Sequence, residues 1–133
     1  MELMRIGQVA KLAEVGIETI RFYERRGLIE EPSRLESGYR QYNQSALTRL
    51  RFIRRAKELG FSLKEIAELL ALRVDPDTTC GAVKKRAQVK IADVEVKIRE
   101  LQRIKKALRK LDASCRGRGP TSECPILDSL QRS

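Results

Sequence analysis

Cys80 stands alone in the chain, while Cys115 and Cys124 bracket a loop of Arg, Gly, Pro and Ser. Between Cys80 and Cys115 runs one long stretch of coiled-coil patterning. A single helix rising about 1.5 Å per residue would hold these two thiols roughly 50 Å apart within one chain. They could not share a ligand there. An antiparallel partner helix would bring Cys80 of one copy beside Cys115 and Cys124 of the other. That makes a three-thiolate pocket found only in a dimer, a donor set suited to a soft metal ion.

A free cysteine is ordinarily a small buried hydrophobe, and any one of these alone is as well read so; the three together favour ligands. Thr78 or Thr79 can cap the long helix, which leaves Cys80 in its first turn. Pro125 suits the first helical position, which puts Cys124 at the cap of a last short helix. Helix N-termini lower thiol pKa and favour the metal-binding thiolate. Arg116 and Arg118 flank Cys115, and a divalent ion on three thiolates carries net −1; the plain alternative is that both are solvated. A closed zinc site takes four ligands. With three Cys and no His, it would need a water or a carboxylate such as Asp128 or Glu123.

Composition narrows the function. The chain has 133 residues and a net charge of +10, with cations interspersed among acids. This points to a folded basic surface and a polyanionic partner. No apolar run approaches a membrane span. Met1-Glu2-Leu3-Met4-Arg5 lacks a signal-peptide core, so a cytoplasmic protein with reduced thiols is expected. An odd number of cysteines without C-x-x-C argues against a disulfide framework. With no His and no catalytic constellation, an enzyme is not expected.

These residues must be positioned by helices. Ile6, Val9, Ala10, Leu12 and Ala13 recur at helical spacing, and Gly16 punctuates. Ile17, Ile20, Tyr23 and Glu24 open a second short helix closed by Gly27, which makes a helix-turn-helix. Arg34 to Tyr42 reads as a β-hairpin wing turning at Ser37-Gly38. Asn43 or Ser45 caps a helix carrying Leu47, Leu50, Ile53 and Ala56, ended by Gly60. Ser62-Leu63-Lys64-Glu65 is a capping box for a helix with Ile66, Leu69 and Leu70. Asp75-Pro76-Asp77 breaks it. Ala87, Ile91, Val94, Ile98 and Leu101 then alternate spacings of four and three, and Ile104, Leu108 and Leu111 continue after one irregularity. Gly117, Gly119 and Pro120 forbid further helix before Pro125.

The expected organisation is all-α with a small β wing. Residues 1–74 form a winged helix-turn-helix DNA-binding domain. Residues 75–133 form a long antiparallel coiled-coil dimerisation helix and a metal-binding loop. Thr19, Arg21 and Tyr23 on the recognition helix, with Arg34, Tyr39 and Arg40 on the wing, are the expected DNA contacts. Arg donates to phosphates and guanine edges, and Tyr donates to phosphate while its ring covers sugar. Tyr23 is equally suited to the core, and Tyr42 shares the wing. Arg49, Arg51, Arg54, Arg55 and Lys57 form a basic cluster that could touch phosphate or pair with Glu58, and the plain reading of a solvated face is preferred.

Ile6-Gly7-Gln8-Val9-Ala10 and Glu18-Thr19-Ile20-Arg21-Phe22-Tyr23-Glu24 resemble the MerR family of bacterial regulators. So do Ser37-Gly38-Tyr39-Arg40-Gln41-Tyr42 and Leu59-Gly60-Phe61-Ser62-Leu63-Lys64-Glu65-Ile66. The match runs in order along essentially the whole chain. Many relatives place Gly just before Val15, where this chain has Glu14. The resemblance implies a homodimer on double-stranded promoter DNA whose −35 and −10 elements are too far apart for RNA polymerase. Ligand binding then bends and untwists the spacer. The segment from Cys115 to Leu127 is similar to the metal loop of the family's mercury-resistance members, and Cys80 falls at the position of their remaining ligand. The resemblance therefore implies Hg(II) as effector, held by Cys80 of one subunit and Cys115 with Cys124 of the other. The expected function is a Hg(II)-responsive regulator, repressing without metal and activating with it. The alternatives are a Cd(II), Pb(II) or thiol-oxidation sensor of the same family, and, in another class, a metal-sequestering protein.

Overall fold

The computed structural model describes residues 3–30, 33–34 and 40–132. Its elements are helices α1 (Ile6–Ala13) and α2 (Ile17–Arg25), strands β1 (Ser33–Arg34) and β2 (Arg40–Gln41), and helices α3 (Gln44–Glu58), α4 (Leu63–Val74), α5 (Cys80–Ser114) and α6 (Pro125–Gln131), with a 3-10 turn at Thr121–Glu123. It divides into two compact units, Met1–Val83 and Lys84–Ser133.

The first unit is built on one apolar cluster. α1 contributes Val9, Ala10 and Ala13, α2 contributes Ile20 and Tyr23, α3 contributes Leu47, Leu50, Ile53 and Ala56, and α4 contributes Ile66. These are the positions that recur at spacings of three and four, so each helix turns one stripe inward. Full burial of a side chain such as Leu50 or Ile53 stabilises the fold by about 1.5–3 kcal/mol. The caps are chemical. Asn43 accepts the Ala46 N–H at 3.0 Å and starts α3. Ser62 and Glu65 exchange bonds of 3.2 and 2.8 Å with each other's backbone N–H and start α4. The helix ends at Val74, with Asp75 as its cap.

Gly16 separates α1 from α2, as its place in the sequence suggests. Gly16 has ordinary extended geometry as the cap of α2. The left-handed residue is Glu14, at φ 58° and ψ 42°, which closes α1. Its carboxylate meets Arg54 of α3 at 2.9 Å, and Arg54 also reaches Glu58 at 3.1 Å. Arg49 donates to the Leu28 carbonyl at 3.2 Å. Part of the basic cluster on α3 is therefore structural.

The wing is a two-stranded antiparallel sheet with Ser33 opposite Gln41 and Arg34 opposite Arg40. The expected turn at Ser37-Gly38, and Tyr39 with it, lie outside the described residues. Just beyond β2, Tyr42 pairs by backbone with Met4 in both directions, at 2.8 and 2.7 Å. Tyr42 is buried and its hydroxyl donates to Glu24 of α2. It is a core residue, not a surface aromatic of the wing. A ring this size can serve either place, and the pairing with the N-terminal segment draws this one inward.

The long helix α5 runs unbroken for 35 residues, and none of them is buried. Val94, Ile98, Leu101, Ile104 and Leu108 are 40 to 64% exposed. In a single chain the apolar seam has no cover. No helix among the described residues is long and apolar enough to cross a membrane.

Candidate metal-sensing and DNA-reading sites

The thiol loop begins where α5 stops. Cys115 is the first residue past the helix, and its N–H donates to the Asp112 carbonyl at 3.2 Å. Gly117 has φ +77°, a left-handed geometry that costs glycine nothing. The turn delivers the Gly117 N–H to the Cys115 sulfur at 3.4 Å.

Cys124 is the cap of α6 and Pro125 is its first residue, as the sequence suggests. The Cys124 side chain stands at the N-terminus of α6, where the first backbone amides are free of helix partners. The Leu127 N–H acts most strongly, and the Ile126 N–H and the Cys115 thiol add to it. Together they pull the Cys124 thiol below its ordinary pKa, against desolvation and the nearby Asp128 carboxylate. Cys115 and Cys124 are both half-buried, and all three cysteines are free.

Cys80 is the first residue of α5 and is exposed. Ahead of it, the Thr78 hydroxyl donates to the Asp75 carboxylate at 2.8 Å. Among the described residues of one chain, no three Cys, Asp or Glu side chains gather as a metal-holding group. Glu123 and Asp128 do not complete one around the Cys115–Cys124 pair.

On the DNA-reading side, α2 exposes Arg21, which pairs with Glu18 at 3.0 Å. Thr19 is half-buried in the first turn. The Arg26 guanidinium lies 5.7 Å from the centre of the Phe22 ring. Tyr23 is only 3% exposed. Burial raises its pKa, and its ring tilts against Phe22 with centroids 6.1 Å apart. The expectation that this ring covers a sugar gives way to core packing, because Tyr23 belongs to the buried apolar cluster of the first unit. Arg34 and Arg40 stand directly opposite each other in the wing. The residues that sequence reasoning missed are Glu14 and Arg54, which tie the helix-turn-helix to α3. Arg54 was visible as one of five cations, with nothing in the sequence to single it out.

A helix-turn-helix with a wing, followed by a long helix and a thiol loop, defines a metal-responsive transcription regulator. The description "MerR HTH family regulatory protein" matches residues 4–72, and "MerR, DNA binding" matches residues 47–111. The chain belongs to the MerR family. It is 44% identical over 132 residues to the HTH-type transcriptional regulator ZntR of Escherichia coli strain K12, covering 98% of this chain and 94% of that one. It is 43% identical over 131 residues to the mercuric resistance operon regulatory protein of Serratia marcescens, covering 98% and 90%. Among solved structures it resembles the transcription regulator PbrR691 from Ralstonia metallidurans CH34 in complex with lead(II), at TM-score 0.81 and 42% identity, covering 96% of this chain and 98% of that one. Regulators of this family bind promoter DNA as homodimers and contact RNA polymerase.

Proposed function

We propose that this chain is a Hg(II)-responsive regulator of a mercury-resistance operon. Without metal it represses. With metal it activates, by bending and untwisting a promoter spacer that holds the −35 and −10 elements too far apart. The observation that carries this reading is the thiol pair, with Cys124 drawn toward thiolate by the α6 amides and by Cys115. At about 1.5 Å per residue, a helix as long as α5 spans roughly 50 Å. The third sulfur therefore comes from a second copy. Each site combines Cys80 of one subunit with Cys115 and Cys124 of the other. Three sulfurs without imidazole favour a soft ion, and Arg116 and Arg118 offset the net negative charge. The likeness to a mercuric resistance operon regulator supports mercury among the soft ions. The likeness to the lead(II) complex of PbrR691 favours Pb(II) as the second reading.

The DNA face comprises Thr19 and Arg21 on α2 with Arg34, Tyr39 and Arg40 on the wing, without Tyr23. The seam of α5 is the homodimer contact, RNA polymerase is the downstream partner, and the cytoplasm of a bacterium is the place of action. Transcription in a purified system tests the reading, on a promoter selected by this protein from random duplexes. Hg(II) should activate at lower concentration than Pb(II), Cd(II) or Zn(II). Activation by Pb(II) at lower concentration would transfer the function to lead. No response to any ion would remove the metal-sensing role.

A further inference from the structure

Five of the chain's cations crowd into the C-terminal third of α5. From Leu101 to Leu111 the helix carries Arg103, Lys105, Lys106, Arg109 and Lys110 and no acid. They equal half of the net +10. Earlier in the same helix the charges are mixed, and Lys90 lies 3.8 Å from Asp93. Among the described residues none of the five is in an ion pair. Four of them, Lys105, Lys106, Arg109 and Lys110, line one continuous shallow trough together with Gln102 and Ala113. All six are exposed. Helical spacing sets Lys106 and Lys110 on the face opposite Leu101, Ile104 and Leu108. A copy seated on the apolar seam therefore leaves Lys106, Arg109 and Lys110 open, with Lys105 at the flank of the seam.

We infer that this face is a second, sequence-independent contact for duplex DNA, separate from the helix-turn-helix and wing. Charge density selects the partner. Residues 103 to 110 span about 10 Å of helix, so five cations give roughly one charge per 2 Å. Duplex DNA carries one negative charge per about 1.7 Å of axis. Strand chemistry follows from what is missing. No Phe, Tyr or Trp occurs from Lys84 to Ser133, so there is no platform on which single-stranded bases could stack. Lys, Arg and Gln donors recognise phosphate oxygens without reading sequence. The contact adds affinity and salt dependence to operator binding, and it stands whichever ion the thiols take.

The test uses the full-length dimer and the variant Lys105→Gln/Lys106→Gln/Arg109→Gln/Lys110→Gln, glutamine being a good helix former. Binding to a long duplex with a central operator is measured across a salt series. Each lost phosphate contact lowers the slope of log K against log salt by about 0.9. The variant should lose about 2 to 4 units of slope and at least about tenfold in affinity at 0.1 M salt. Lys105→Arg/Lys106→Arg/Lys110→Arg keeps the charge and should bind like the parent. Sedimentation and Hg(II) titration should be unchanged in both variants, which separates this contact from the dimer and metal readings. An unchanged slope and affinity overturn the proposal. Loss of transcription activation with DNA binding intact also overturns it, and assigns the face to an acidic protein surface.

Discussion

Glu14 bears a left-handed backbone that glycine adopts freely. That conformation costs a non-glycine residue about 1–2 kcal/mol. What the carboxylate gains in return is an exposed ion pair with Arg54, of a kind worth about 0–1 kcal/mol. The strain is the larger quantity. Glu14→Gly should therefore raise the denaturation midpoint by several degrees, since about 1 kcal/mol moves a domain of this size by roughly 4–8 °C. Glu14→Ala keeps the strain and loses the pair, so it should not stabilise. A lower midpoint for Glu14→Gly would show that the tie to α3 outweighs the backbone term. Cys124 permits a signed prediction as well. Its thiol is held low chiefly by the Leu127 amide, while the Asp128 charge pushes the other way. Asp128→Asn removes the opposing charge, so the pKa falls further and more thiolate is present at neutral pH. Alkylation of Cys124, followed against pH by mass spectrometry, should shift its midpoint downward in that variant. An upward shift would contradict the electrostatic reading of the loop.

The elements differ in how plainly the sequence wrote them. α1, α3 and α4 repeat apolar residues at helical spacing, and Asn43 and the Ser62–Glu65 box carry their own start signals. Their ends were legible because the chemistry is local. The placement of Tyr23 and Tyr42 was not. A tyrosine serves a core or a surface equally well, and for Tyr42 the pairing with Met4 and the bond to Glu24 decide it. The thiol loop was legible as a cap, because Pro125 fixes where α6 begins. The contact of the Gly117 N–H with the Cys115 sulfur was not, since it depends on the left-handed turn at Gly117. The seam of α5 was legible as a repeat, and its exposure in one chain gives the repeat its purpose. Ile98 lies at the middle of that seam, 48% exposed in the single chain. Ile98→Asp would put a charge into the proposed helix pair, where an unpaired buried carboxylate is strongly unfavourable. Sedimentation should then report monomers at micromolar concentration, with metal and operator binding lost together. A stable dimer of the Ile98→Asp protein would place the interface elsewhere.

The whole molecule joins two compact units, Met1–Val83 and Lys84–Ser133. α5 begins at Cys80 in the first unit and ends just before Cys115 in the second. A site shared in this way would draw on both units and on two chains, and one chain alone carries a thiol pair and a lone thiol. The same dependence would let a bound ion act on the DNA-reading half, because an ion bridging Cys80 to the loop of the other copy favours one arrangement of the dimer over another. The shared site is the central claim, and mixed dimers test it directly. A Cys80→Ala chain is combined with a Cys115→Ala/Cys124→Ala chain, the heterodimer is purified, and Hg(II) is titrated by thiolate-to-metal ultraviolet absorption. In the heterodimer one pocket draws Cys80 from the second chain and the loop pair from the first, while the opposite pocket has no thiol. One tight site per heterodimer is expected, and no three-thiolate site in either parent homodimer. Tight binding unchanged in a parent homodimer, or none in the heterodimer, would contradict the shared site.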